Sequence, residues 1–94
     1  MVDKASFYFA NLGADVMRCA LAVESESENE YQSSLKRAHS TLRRVQAEGR
    51  PEAYEEGLLL LRALEFARST MNTPAFREQL NSIIAPLASR LALG

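Results

Sequence analysis

Apolar residues recur along this chain at alternating spacings of three and four, the period of a helix with one buried side. Phe9, Leu12, Val16, Ala20 and Val23 form one such set, with Phe7, Ala10, Ala14, Met17 and Leu21 as a second set beside it, which predicts a first helix over Ser6–Val23. Its polar stripe is narrow, holding Asn11, Asp15 and Arg18 with Tyr8 at the margin. Asp15 and Arg18 stand three apart, a spacing at which helical side chains can bridge. Gly13 costs such a helix about 1 kcal/mol relative to alanine, which makes sense where another helix comes close.

The glutamate- and serine-rich stretch 24–30 interrupts the pattern. Ser25 with Glu28, or Ser27 with Glu30, has the form in which a hydroxyl and a carboxylate close the start of a new helix. A second helix, Ser27–Glu48, follows, with Tyr31, Leu35, Ala38, Leu42 and Val45 as a heptad seam. Lys36, Arg37, Arg43 and Arg44 gather on the opposite side, and His39 lies on the seam's shoulder. Gly49-Arg50-Pro51 then supplies the residues preferred just past one helix and at the first position of the next.

The third helix, Pro51–Met71, holds the densest apolar run, Leu58 to Leu61. Gly57, Leu60, Leu64, Ala67 and Met71 line one seam, and Leu59, Ala63 and Phe66 face another way. Needing neighbours on two sides, it is expected to be the core helix. Thr73 as N-cap and Pro74 at the first position open a fourth helix that buries Phe76, Leu80, Ile83, Ile84, Leu87 and Leu91. Pro86 removes a backbone donor and crowds the preceding turn, so the fourth helix is expected to kink or restart there.

The starts fall near Ser6, Ser27, Pro51 and Pro74 with only short connections between them. That rhythm predicts a single all-α domain spanning 1–94, an up-down-up-down antiparallel four-helix bundle. No stretch alternates with the period of a strand.

Composition narrows the chemistry. The 94 residues carry a formal net charge of −1, so an anionic partner has to be met by a local patch. Asp15 and Arg18 break the first apolar run well short of a membrane span or signal peptide, and a cytoplasmic protein with no membrane partner is expected. One cysteine, Cys19, and one histidine, His39, exclude an intramolecular disulfide, a thiolate cage and a two-histidine metal site. The four glycines are scattered and form no phosphate loop. Cys19 sits among apolar neighbours, where a thiol is inert, and no catalytic residue, metal site or cofactor is predicted.

Three uses of the surface remain. The first and third helices are more apolar than an isolated bundle requires, which predicts a homodimer or another protein partner, with Phe7, Met17, Leu21, Leu59 and Phe66 as anchors. Nucleic-acid contact is the second, through Lys36, Arg37, Arg43, Arg44 and Arg50, though no aromatic residue is interleaved to stack on bases. The third is ligand binding at Asn11, Asp15 and Arg18; the same residues also suit a structural network completed by Arg62 or Glu65 of the third helix. A non-enzymatic interaction or oligomerisation module is the function these features favour.

The ten residues Phe9-Ala10-Asn11-Leu12-Gly13-Ala14-Asp15-Val16-Met17-Arg18 resemble the opening of a group of small, uncharacterised bacterial helical proteins that begin F-A-N-L-G-A-acid-V-x-R. The resemblance implies a bacterial helical protein and no particular activity.

Overall fold

The computed structural model describes the backbone of residues 4–93, and their side chains apart from those of 81 and 85–93. Four α-helices make up the described residues: α1 (Lys4–Glu24), α2 (Glu28–Ala47), α3 (Pro51–Ser69) and α4 (Thr73–Leu93), with no strand among them. The chain is all-α. None of the described helices is long and apolar enough to cross a membrane.

Local chemistry accounts for the helix starts. Ser27 adopts extended backbone and its Oγ accepts the Glu30 N–H at 3.4 Å, so of the two possible capping pairs the second is used. Glu30 does not reciprocate, because the Ser27 N–H is already donated to the Ala22 carbonyl at 2.9 Å. Pro51 opens α3 as expected. Thr73 departs from expectation: α4 begins at this residue, and its side chain is buried with Oγ1 making no hydrogen bond, so it caps nothing.

Two of the helix ends share one construction. Past α1, Glu26 takes φ +57° while the Ser27 and Glu26 N–H groups bond back to Ala22 and Val23; past α3, Met71 takes φ +56° while Asn72 and Met71 bond back to Ala67 and Arg68. This crossed pair of bonds satisfies the last carbonyls of a helix and needs one residue in the left-handed region, a place glycine usually fills. Glycine does fill it after α2, where Gly49 has φ +71°. Met71, expected on the α3 seam, therefore lies beyond the helix and is 90 % exposed.

At the far end of the chain, α4 runs through Pro86 to Leu93, so the expected restart does not occur. An interior proline removes one bond and crowds one turn, and the turns on either side carry the helix across it. The expected burial of Leu87 and Leu91 lies outside the described residues' side chains.

Both α1 and α3 touch the other three helices, whereas α2 and α4 do not meet among the described residues; the longer buried row belongs to α1. Ala5, Phe9, Leu12, Gly13, Val16, Cys19, Ala20 and Ala22 are all buried along it. The small members of that set let neighbours come close: a Cβ added at Gly13 would lie 2.8 Å from Ile84 Cγ2 of α4. Gly57 does the same for α3, where an added Cβ would lie 2.6 Å from Leu42 Cδ1 and 3.0 Å from Leu12 Cδ2.

As expected of a core helix, α3 packs against all three others, but its second apolar side stays uncovered. Four consecutive leucines sweep about 300° around a helix axis and cannot share one side. Leu60, Leu61 and Leu64 turn inward, while Leu59 is 56 % and Phe66 71 % exposed. Ile83 of α4, expected inside, is also exposed.

Contacts between helix ends fix how the elements meet. Arg77 of α4 pairs with Glu24 at the end of α1, and Arg68 of α3 pairs with Glu28 at the start of α2 while its guanidinium lies 4.0 Å from the centre of the Tyr31 ring. At the opposite helix ends, Ala5 and Phe9 of α1, Val45 of α2 and Ala53 of α3 form a buried apolar cluster.

Candidate functional site

Asp15 is the one buried acidic side chain among the described residues. A carboxylate in such a position has to be paired and hydrogen-bonded. The partners are not Arg62 and Glu65 of α3, which are exposed, but Arg18 and Thr41. Arg18 Nη1 donates to Oδ1 at 2.8 Å from one turn along the same helix, and Thr41 Oγ1 of α2 donates to Oδ2 at 2.9 Å. Both oxygens are therefore engaged, and the α1–α2 seam acquires a fixed polar point.

Around that point lies an open cleft of about 340 Å³ lined by Asn11, Asp15 and Arg18 of α1 and by Arg37, Ser40, Thr41 and Arg44 of α2. The polar stripe of α1 and part of the basic face of α2, two separate features of the sequence, thus meet in one place. Arg44 also lies over the Tyr8 ring, 5.9 Å from its centre. Neither Arg37 nor Arg44 has an acidic side chain within ion-pair distance among the described residues.

The other predicted bases go elsewhere. Arg43 Nη2 donates to Ser40 Oγ at 3.1 Å, Lys36 is exposed, and Arg50 is paired with Glu52 at the start of α3. A continuous row of five bases is therefore not presented. Thr41 and Ser40 escaped sequence reasoning, because nothing local marks them. The available signal was register: Asp15 and Thr41 stand equally far on either side of Glu28, so a chain folded back there sets them opposite each other.

Cys19 is fully buried and His39 is exposed, so the two do not form a nucleophile pair. Burial, followed by the nearby Asp15 charge, pushes the Cys19 thiol up to about 11, far from the thiolate that nucleophilic chemistry requires. Among the described residues, no group of three or more His, Cys, Asp or Glu side chains is placed to hold a metal ion.

The expected contact residues divide into two strips. Leu59 and Phe66 lie two turns apart on the outer side of α3, with exposed Ala63 between them. Phe7 and Leu21 lie on α1 at 54 % and 47 % exposure, again with exposed alanines between, whereas Met17 is half-buried against the core. Compared with known proteins, the chain matches no protein-family model, no curated protein and no solved structure.

Proposed function

We propose that this chain is a non-enzymatic helical module that works by protein contact, in the first place with a second copy of itself. The observation that carries the proposal is the outer side of α3, where Leu59 and Phe66 leave most of their apolar surface in water. A helix that turns two large apolar side chains outward at a spacing of seven, with alanine between them, has the form of a helix-pairing seam. In a two-fold contact the same patch serves both partners. Leu59 of each copy then packs on Phe66 of the other, and Ala63 lets the two helices approach.

The arrangement behind this seam is an antiparallel up-down-up-down four-helix bundle. Its support comes from the ends: the close of α1 and the close of α3 are tied by ion pairs to the starts of α4 and α2, and the start of α1 clusters with the end of α2 and the start of α3. A single cysteine, free and buried, suits the reducing conditions of a cytoplasm. Contact with nucleic acid along α2 is less well supported, since Arg50 is occupied by Glu52 and Arg37 and Arg44 turn to the cleft.

Sedimentation equilibrium tests the proposal. The unaltered chain is expected to be a dimer, and Leu59→Glu with Phe66→Glu is expected to give a monomer of unchanged helicity. A chain that is monomeric at every concentration, or a dimer that survives both charge substitutions, overturns it.

A further inference from the structure

We propose that the cleft between α1 and α2 binds a phosphate monoester, held by Arg18, Arg37 and Arg44. Three guanidinium groups line a space of about 340 Å³, and the only carboxylate lining it, Asp15, leaves two net positive charges. Like charges brought together without a counter-charge repel, and one side chain that offsets them is already spent: both Asp15 oxygens are taken by Arg18 and Thr41. Arg37 and Arg44 keep no acidic partner among the described residues.

The inventory of hydrogen-bonding groups points to the class of ligand. A guanidinium has donors only, five of them, and Arg18 gives one to Asp15 in the structure's hydrogen bonds. Ser40 Oγ accepts from Arg43, which leaves its own hydrogen to donate. What is missing is a compact group with acceptors only and two negative charges. A phosphate monoester supplies three terminal oxygens and, near neutral pH, close to two charges, and arginine forks match phosphate oxygens in pairs. A carboxylate brings one charge and two oxygens. A phosphodiester backbone brings one charge per phosphate and calls for a row of bases, which Arg50 does not extend.

The site has a built interior wall as well as exposed arms. Asp15, 3 % exposed, anchors the Arg18 guanidinium from below, and the Tyr8 ring braces Arg44 from the side. Neither the dimer seam nor any residue of it is used, so this site and the contact proposed above stand or fall separately.

The test is a titration of the ¹⁵N-labelled chain with phenyl phosphate, inorganic phosphate and acetate at constant ionic strength, followed by amide and arginine Nε–H signals. Saturable shifts confined to residues 11–18 and 37–44 are expected with both phosphates and not with acetate. Arg37→Gln, Arg44→Gln and the double variant, each checked for unchanged helicity, are expected to weaken binding by about tenfold or more. Absence of saturation, equal response to acetate, or an affinity unchanged in all three variants overturns the proposal. So does tighter binding, at these same residues, of an oligonucleotide lacking terminal phosphates, which reassigns the cleft to nucleic acid. The Leu59→Glu, Phe66→Glu chain is expected to retain the phosphate response, which separates this result from the fate of the dimer.

Discussion

Thr41 on α2 donates its hydroxyl hydrogen to Oδ2 of Asp15 on α1 over 2.9 Å, joining positions 26 residues apart. The bond is charge-assisted and its acceptor is buried, so its loss leaves a carboxylate oxygen without a partner. Thr41→Val is expected to cost about 1–3 kcal/mol in chemical denaturation. Thr73→Val removes a buried hydroxyl that bonds to nothing in the structure and is expected to be neutral or stabilising. The same substitution should therefore cost stability at Thr41 and none at Thr73. Equal effects at both would mean that the Asp15 contact contributes nothing beyond packing.

Gly13 is a test of how closely α1 and α4 approach. Alanine at an ordinary helical glycine gains about 1 kcal/mol of propensity. Here its methyl carbon would meet Ile84 Cγ2 at 2.8 Å, and that branch sits directly on Cβ and cannot swing aside without changing the whole rotamer. Overpacking of this kind costs about 1–3 kcal/mol, so Gly13→Ala is expected to lower stability on balance. In an Ile84→Ala background the obstruction is gone, and Gly13→Ala should then stabilise. Thermal melts of the four combinations read both signs.

Cys19 predicts a dependence on alkaline pH. Its thiol ionises near 9.0 when exposed and at about 11 in the folded chain, because burial and the Asp15 charge oppose the thiolate. Between those values the folded state holds a proton that the unfolded state has released. The stabilisation is complete below pH 9.0 and is lost as pH rises through about 11. Denaturation midpoints are expected to fall across this interval in the unaltered chain and to fall less in Cys19→Ala. Alkylation of the native chain at pH 8 should run at least about a hundredfold slower than in denaturant, since access requires opening.

Much of the fold was legible in the residues themselves. Ser27 and Pro51 placed two helix starts, and of the seam Tyr31, Leu35, Ala38, Leu42 and Val45 all are buried except the half-buried Leu35. Periodicity names a face and not the neighbour that covers it, so the exposure of Leu59 and Phe66 was not legible. Leucine count marked α3, and α1 and α3 each meet three neighbours, α1 through a row rich in alanine and glycine. Met71 was misplaced because a left-handed closing residue is legible only when it is glycine. Asn11, Asp15 and Arg18 were visible as a stripe, and the bases of α2 as a face, but their meeting depends on inter-helix register, which no single helix encodes. Thr41 is known as a partner only once two helices are set side by side.

The helices α1 to α3 are fastened differently at their two extremities. Where α1 and α3 close, the ion pairs Glu24–Arg77 and Glu28–Arg68 add to an apolar packing that includes Ala22, Tyr31 and Leu80; where they begin, Phe9, Val45 and Ala53 pack as hydrocarbon. Ions screen the first kind of fastening and leave the second intact, or reinforce it when they are strongly hydrated salts. Fraying consequently has a direction. Brine should loosen the tip that carries Glu26 and Met71 more than the other, whereas cold, which weakens apolar cohesion, should act on both.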